Sequence, residues 1–172
     1  MTKKTHLNWS NAKSSTPSQE YFYNTPVGLL SIKVHANILL KTEWLTKIKN
    51  ARPGHLPETI LQPLNHYWQT AAMDFAVPLA IQGTHFQQKV WQALCHIPLG
   101  QTHTYGELAK ELNTSPRALA NACRCNPFPL IIPCHRIVAK TGLGGYAGQT
   151  SGTMIEIKRA LLQHENKLTH EL

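Results

Sequence analysis

The stretch Asn126-Pro127-Phe128-Pro129-Leu130-Ile131-Ile132-Pro133-Cys134-His135-Arg136 limits what this chain can fold into more than any other. Each proline holds φ at about −65° and removes a backbone donor, so the run is neither an ordinary helix nor a central strand. Leu130, Ile131 and Ile132 are nonetheless apolar, and the run is expected to form a rigid, buried shelf. At its end stand Cys134 and two basic neighbours, His135 and Arg136. A free thiol has a pKa of about 8.5, and nearby cationic side chains favour the thiolate, which is the nucleophile. Cys134 is therefore a candidate nucleophile on a fixed loop, set against the plainer alternative of a buried structural cysteine.

Upstream of the shelf, from Gly83 onward, the punctuation is helical. Thr84-His85-Phe86-Gln87 has the form of a capping box, after which Phe86, Val90 and Leu94 share one face until Pro98 and Gly100 end the helix. Thr104-Tyr105-Gly106-Glu107 opens a second helix with Leu108 and Leu112 on one side, and Asn113-Thr114 makes a turn. Ser115 then caps a third helix with Pro116 in its first position, which runs to about Arg124 before Pro127 stops it. Two short helices joined by a tight turn have helix-turn-helix form. Ala118, Ala120, Ala122 and Cys123 keep the second of them thin, and Arg117 and Arg124 stand at its ends. Such a helix suits close approach to a nucleic-acid backbone or narrow groove, although by spacing alone an alanine-rich core helix fits equally well.

The last helix carries Met154, Ile157, Leu161 and Leu162 on an apolar stripe, and Glu165 lies on the same face. A carboxylate pointing inward near a helix C-terminus needs a partner to stay ionised; a frayed end leaving it in water is the alternative.

The first half carries less chemistry. Residues 1–18 are polar and read as a flexible arm, with Trp9 able to tack it to the body. Tyr21-Phe22-Tyr23, the run 27–34 and the run 38–44 are short β-favouring segments separated by turn signals, which predicts an antiparallel meander. Residues 58–69 place Leu61, Leu64 and Trp68 at helical spacing, with Pro63 kinking or beginning the helix. Phe75-Ala76-Val77-Pro78-Leu79 is expected to return as an edge strand. His35, His55 and His66 have no second ligand at a plausible spacing.

The net charge of +8 favours a polyanionic partner. Eight basic and four acidic residues precede Thr84, and nine basic and five acidic residues follow from it, so the basicity is spread and marks no charged tail. No apolar run approaches the about 20 residues of a membrane span, and the polar start lacks a secretory signal, so no membrane partner and a cytoplasmic location are expected. All four cysteines lie in the second half, and Cys123-x-Cys125 is not a common zinc or redox spacing; a zinc site of Cys123, Cys125, Cys134 and His135 stays open as the lesser alternative.

Pro133-Cys134-His135-Arg136, preceded by Asn126-Pro127 and followed by Gly142-Leu143-Gly144-Gly145-Tyr146, resembles the active-site signature of the O6-alkylguanine-DNA alkyltransferases. The resemblance runs in order through Gly83-Thr84-His85-Phe86-Gln87, Val90-Trp91, Ile97-Pro98-Leu99-Gly100, Thr104-Tyr105-Gly106-Glu107-Leu108-Ala109, Ser115-Pro116-Arg117-Ala118 and Leu161-Leu162-Gln163-His164-Glu165. It implies an α+β fold: a flexible arm over 1–18, a small ribonuclease H-like antiparallel sheet with a helix over 19–82, and an all-α DNA-binding and alkyl-acceptor domain containing a helix-turn-helix over 83–172.

It further implies direct repair of O6-alkylguanine, extending to O4-alkylthymine, in duplex DNA by a single irreversible transfer to Cys134. Glu165 would hold His135, which acts through a water on Cys134; Asn126 would brace the turn, and Tyr105 would donate toward the base. The helix carrying Arg117, Ala118 and Ala120 would enter the minor groove, with Arg117 replacing a flipped-out guanine and Ser115, Arg124 and Arg136 completing the DNA-facing set. Tyr146, Ala147 and Gly148 would wall the alkyl pocket. The implied protein is a monomer with no metal and no cofactor.

Two motifs depart from a pattern common in the family: Tyr146-Ala147-Gly148-Gln149 stands in place of Tyr-Ser-Gly-Gly, and Arg117-Ala118-Leu119-Ala120 in place of Arg-Ala-Val-Gly. A non-catalytic DNA-binding protein and a Cys-His-Glu hydrolase are the rival functions.

Overall fold

In strands β3 (Gly28–His35) and β4 (Ile38–Leu45), Leu30, Ile32 and Val34 and then Leu40, Thr42 and Trp44 recur every second residue and are buried, as a pleated strand requires. The computed structural model describes residues 7–12, 17–46, 55–70 and 75–170. Strand β2 (Gln19–Thr25) pairs antiparallel with β3, and β3 pairs antiparallel with β4, so the expected meander is present. Ala36 turns the second hairpin at φ 49°, in the left-handed region that two-residue hairpin loops demand.

Four short strands differ from expectation: the half expected to be all-α contains a parallel pair, His103–Thr104 with Ile137–Val138, and two more strands join the main sheet. Within residues 1–18, Trp9–Ser10 forms β1, and Leu79–Ala80 forms β5. The sheet order is β1-β5-β4-β3-β2, with β5 parallel to both its neighbours. The segment after Pro78 is therefore interior rather than an edge: Pro78 itself stands just before β5 and takes part through its carbonyl, which accepts from Leu39 N at 2.8 Å. Part of the predicted arm is the true edge, held by the rings of Trp91 and Phe128, whose centroids lie 6.2 Å and 6.4 Å from Trp9.

Helix α1 (Glu58–Gln69) runs through Pro63 rather than starting there, and it buries Ile60, Leu64 and Tyr67. Then follow α2 (His85–Leu94), β6 (His103–Thr104), α3 (Tyr105–Glu111), α4 (Pro116–Arg124), a 3-10 turn (Cys134–Arg136), β7 (Ile137–Val138) and α5 (Thr153–His170). The capping boxes at Thr84/Gln87 and Thr104/Glu107 both form, and Ser115 accepts from Ala118 N at the start of α4. The buried apolar cluster is continuous from Leu30, Ile32 and Leu39 of the sheet to Trp91, Phe128, Ile131 and Leu161 of the helical half. Burying each of these side chains contributes about 1.5–3 kcal/mol.

The proline shelf rests on β4. Prolines remove donors but leave carbonyls, and a buried carbonyl without a partner is costly. Thr42 supplies two donors: its N–H to Pro127 O at 3.0 Å and its hydroxyl to Pro129 O at 2.8 Å. Leu130 sits at φ 77° with no exposed surface, a strained backbone that the surrounding contacts impose.

Candidate active site

Glu165 gathers the site. Helix α5 continues to His170, so Glu165 is not at a frayed end; its side chain is fully buried on the face that carries Ile157 and Leu161. His135 Nε2 lies 2.7 Å from Oε1, Arg136 donates from Nε to Oε2 at 2.9 Å and from Nη2 to Oε1 at 3.0 Å, and the Tyr67 hydroxyl donates to Oε1 at 2.8 Å. Gly100 N adds a longer bond to Oε2 at 3.3 Å. Burial alone would raise the pKa of this carboxyl, but His135 and the Arg136 guanidinium outweigh it and hold the group well below the usual carboxylate range.

Arg136 thus has a different place from the one expected of it. It is 4% exposed, its remaining nitrogen Nη1 donates to Ile97 O at 2.7 Å, and it cannot reach DNA from there. An arginine next to the reactive cysteine looks like a surface cation in a linear sequence; the 3-10 turn swings it inward onto Glu165.

Burial lowers the pKa of His135, with Glu165 opposing and Arg136 reinforcing the fall. The imidazole therefore rests neutral. An ionised carboxylate only accepts, so Nε2 must carry the proton that faces Glu165, and Nδ1 keeps its lone pair. Nδ1 is buried and bonds to no described residue.

Cys134 is 6% exposed. Burial pushes its thiol up, against the opposing influence of an Asn126 hydrogen bond and of Lys158. The resting group is a thiol, not the thiolate that basic neighbours alone would favour, because desolvation outweighs them. Asn126 braces the turn as expected: Nδ2 donates to Ile132 O at 2.9 Å and lies 3.1 Å from Cys134 Sγ, while Oδ1 accepts from Phe128 N at 2.9 Å.

Cys134 faces a pocket of about 290 Å³ shared with Tyr105, Ala120, Cys123, Arg124 and the loop 145–150, which includes the expected Tyr146, Ala147 and Gly148. The loop folds as a tight turn in which Tyr146 and Gln149 exchange backbone hydrogen bonds of 2.8 Å and 2.9 Å, with Ala147 at φ 49° and Gly148 at φ 79°. Glycine suits position 148 because its φ lies in the left-handed region, and a Cβ there would come within 3.3 Å of the Arg124 stem, which would have to give slightly. Tyr105 points its hydroxyl at Gly145 O, 3.4 Å away, and burial raises its pKa to about 12, so it remains a donor.

The outer face of α4 forms a second, wider hollow lined by Ser115, Arg117, Ala118, Ala120, Asn121 and Arg124. Ala120 and Arg124 belong to both hollows, so the helix surface runs directly into the pocket. The opposite face of α4, Leu119, Ala122 and Cys123, is core. The core reading of the alanine-rich helix thus holds for this face alone, and the face with Arg117, Asn121 and Arg124 is left open to solvent.

Several members of the site were not anticipated. Tyr67 and Trp44 come from the sheet half, and their roles depend on contacts across the seam. Lys158 is fully buried, two turns before Glu165 on the same face of α5, where the inward stripe should have signalled it. Among the described residues no group of three or more His, Cys, Asp or Glu side chains is placed to hold a metal ion, and no helix is long and apolar enough to cross a membrane.

Fold and site together have the layout of a cysteine-nucleophile enzyme whose pocket opens onto a cation-edged helix. Residues 85–167 match the family described as 6-O-methylguanine DNA methyltransferase, DNA binding domain. The methylated-DNA–protein-cysteine methyltransferase of Methanosarcina mazei is 42% identical over 76% of this chain and 84% of its own length, and that of Mycobacterium leprae is 34% identical over 79% and 89%. The crystal structure of Mycobacterium tuberculosis O6-methylguanine methyltransferase superposes with a TM-score of 0.73 at 33% identity, covering 88% of this chain and 94% of that one. The same organism's OGT in complex with DNA superposes with a TM-score of 0.69 at 32% identity, covering 87% and 93%. The chain belongs to the methylated-DNA–protein-cysteine methyltransferases, DNA-repair enzymes that move an alkyl group onto a cysteine.

Proposed function

We propose that Cys134 accepts the alkyl group, once and irreversibly, from O6-alkylguanine in duplex DNA. The observation that carries this is the junction of the Cys134 pocket with the outer face of α4 through Ala120 and Arg124. Residues 83–172 would form the acceptor and DNA-binding domain and residues 19–82 a ribonuclease H-like scaffold. In this scheme α3 and α4 act as a helix-turn-helix whose second helix lies in the minor groove; Arg117 fills the space of the flipped nucleotide, and Arg124 guides the base from groove to pocket. The protein works as a monomer and takes O4-alkylthymine by the same route.

In the reaction a bridging water passes the Cys134 proton to Nδ1 of His135, and Glu165 stabilises the imidazolium so formed. Sγ attacks the alkyl carbon, the C–O6 bond breaks, and its electron pair goes to the guanine. The Tyr105 hydroxyl donates toward the base as that charge develops. A thioether has no path back to a thiol, so each chain acts once.

The test is Cys134→Ala. It should abolish transfer and leave duplex binding within about twofold, because phosphate contacts come from other residues. Transfer surviving in this variant would move the acceptor to another cysteine.

A further inference from the structure

The mechanism leaves one buried cation unused. Lys158 has no exposed surface, and its ammonium donates to Ile137 O at 2.6 Å, Leu143 O at 2.6 Å and Gly145 O at 2.9 Å. An ammonium has three N–H donors, and all three are spent on backbone carbonyls, so Lys158 has none left for the thiol or for a base. What it holds is informative. Ile137 directly follows the catalytic turn and begins β7, whereas Gly145 lines the pocket and Leu143 lies two residues before it in the same loop. Gly145 O also receives the Tyr105 hydroxyl. Burying a charge costs several kcal/mol even with partners, a cost that a purely structural site could avoid with apolar packing.

We propose that Lys158 is a positioning residue for alkyl transfer, tying the pocket wall at Gly145, and Leu143 just before it, to the strand that leaves the catalytic turn so that an entering base is held against Cys134. The inference rests on Cys134 being the acceptor. Helix α5 then serves the site twice: Glu165 fixes the base of the relay, and Lys158, two turns earlier, fixes the pocket wall at Gly145. Burial, opposed by Cys134 and Cys123, lowers the Lys158 pKa to about 8. The titratable groups that face it are Cys134 and His135 of the turn, Cys123 of α4 and, through the shared Gly145 carbonyl, Tyr105 of α3. Above pH 8 the clamp therefore loses its charge and one of its three donors.

The test compares Lys158→Met and Lys158→Arg with the unmodified full chain, reading methyl transfer from a methylated duplex, inactivation by free O6-benzylguanine, and alkylation of Cys134 by iodoacetamide. A displaced wall should slow transfer in Lys158→Met by roughly ten- to a hundredfold, as misplacements on the ångström scale do, and raise the half-saturating benzylguanine concentration. Iodoacetamide, which needs no base pocket, should react within about threefold of the parent, and Lys158→Arg should recover part of the transfer. Wild-type transfer in Lys158→Met, or an iodoacetamide rate that falls in step with transfer, overturns the proposal.

The unmodified chain gives a test that does not depend on the variants folding. From pH 7 to 9 its transfer rate should fall while its iodoacetamide rate rises; two rates rising together through pH 9 also overturn the proposal. A parent that reacts with iodoacetamide at Cys134 yet takes no methyl from DNA contradicts the acceptor assignment, and the clamp with it.

Discussion

The indole Nε1 of Trp44 donates to the Tyr146 hydroxyl at 2.8 Å, joining the sheet to the wall of the Cys134 pocket across 102 residues of chain. Both side chains are buried. Together with Thr42 beneath the proline shelf, this makes β4 the support on which the reactive half is set.

Trp44→Phe keeps a ring and removes that bond. It should lower stability by about 1–2 kcal/mol, combining a lost buried hydrogen bond with a small cavity. Inactivation by free O6-benzylguanine should slow a few-fold. Thermal melting and the inactivation rate check the two parts, and a melting shift with an unchanged rate would make the contact purely structural.

Asn126→Ala removes the donor to Sγ and the brace between Phe128 and Ile132. The Asn126 hydrogen bond opposes the burial-driven rise of the Cys134 pKa, so its loss should push the thiol further up. Iodoacetamide labelling at neutral pH should slow, and stability should fall by about 2 kcal/mol or more, since a buried carbonyl loses its partner.

Arg117→Ala should slow repair of duplex DNA far more than reaction with free O6-benzylguanine. An intercalating side chain fills the gap left by a flipped base, and a free base leaves no stack. Equal losses on the two substrates would make Arg117 a general structural residue.

Glu165→Gln should lower transfer at neutral pH by roughly ten- to a hundredfold, less than a serine protease loses with its triad carboxylate, because a thiol is far more acidic than a hydroxyl. The ratio of variant to parent rates should climb with pH, as hydroxide replaces the base that Glu165 supports. Stability carries a second signature. The Glu165 pKa is depressed in the folded state, so its contribution is complete above the unfolded value of about 4.3 and is lost as pH falls below it. The depressed His135 adds a loss beginning nearer its ordinary value of 6.5. The variant should be less stable than the parent at pH 7, and the gap should narrow below about pH 4. A constant gap in acid unfolding would contradict the coupling.

Local chemistry made much of this legible in the linear sequence. Capping residues fixed the starts of α2, α3 and α4 because a cap acts within one turn, and the inward stripe of α5 placed Glu165 correctly for the same reason. What sequence reading missed depends on distant partners. Arg136 is buried because Glu165, 29 positions on, takes its guanidinium. The thiol is protonated because the core closes over it, which adjacency to His and Arg does not reveal. Tyr67 and Trp44 act across the seam between the halves, and β1 forms only because β5 presents an edge to it.

The central claim is that Cys134 takes one alkyl group from DNA and keeps it. The most direct test is to incubate the full chain with excess O6-methylguanine duplex and read intact mass, followed by peptide mapping. One methyl group per chain, located on Cys134, with the signal saturating at a single equivalent and the guanine restored, is the expected result. A methyl on Cys95, Cys123 or Cys125, or demethylated DNA accumulating beyond one equivalent with no added mass, would contradict it.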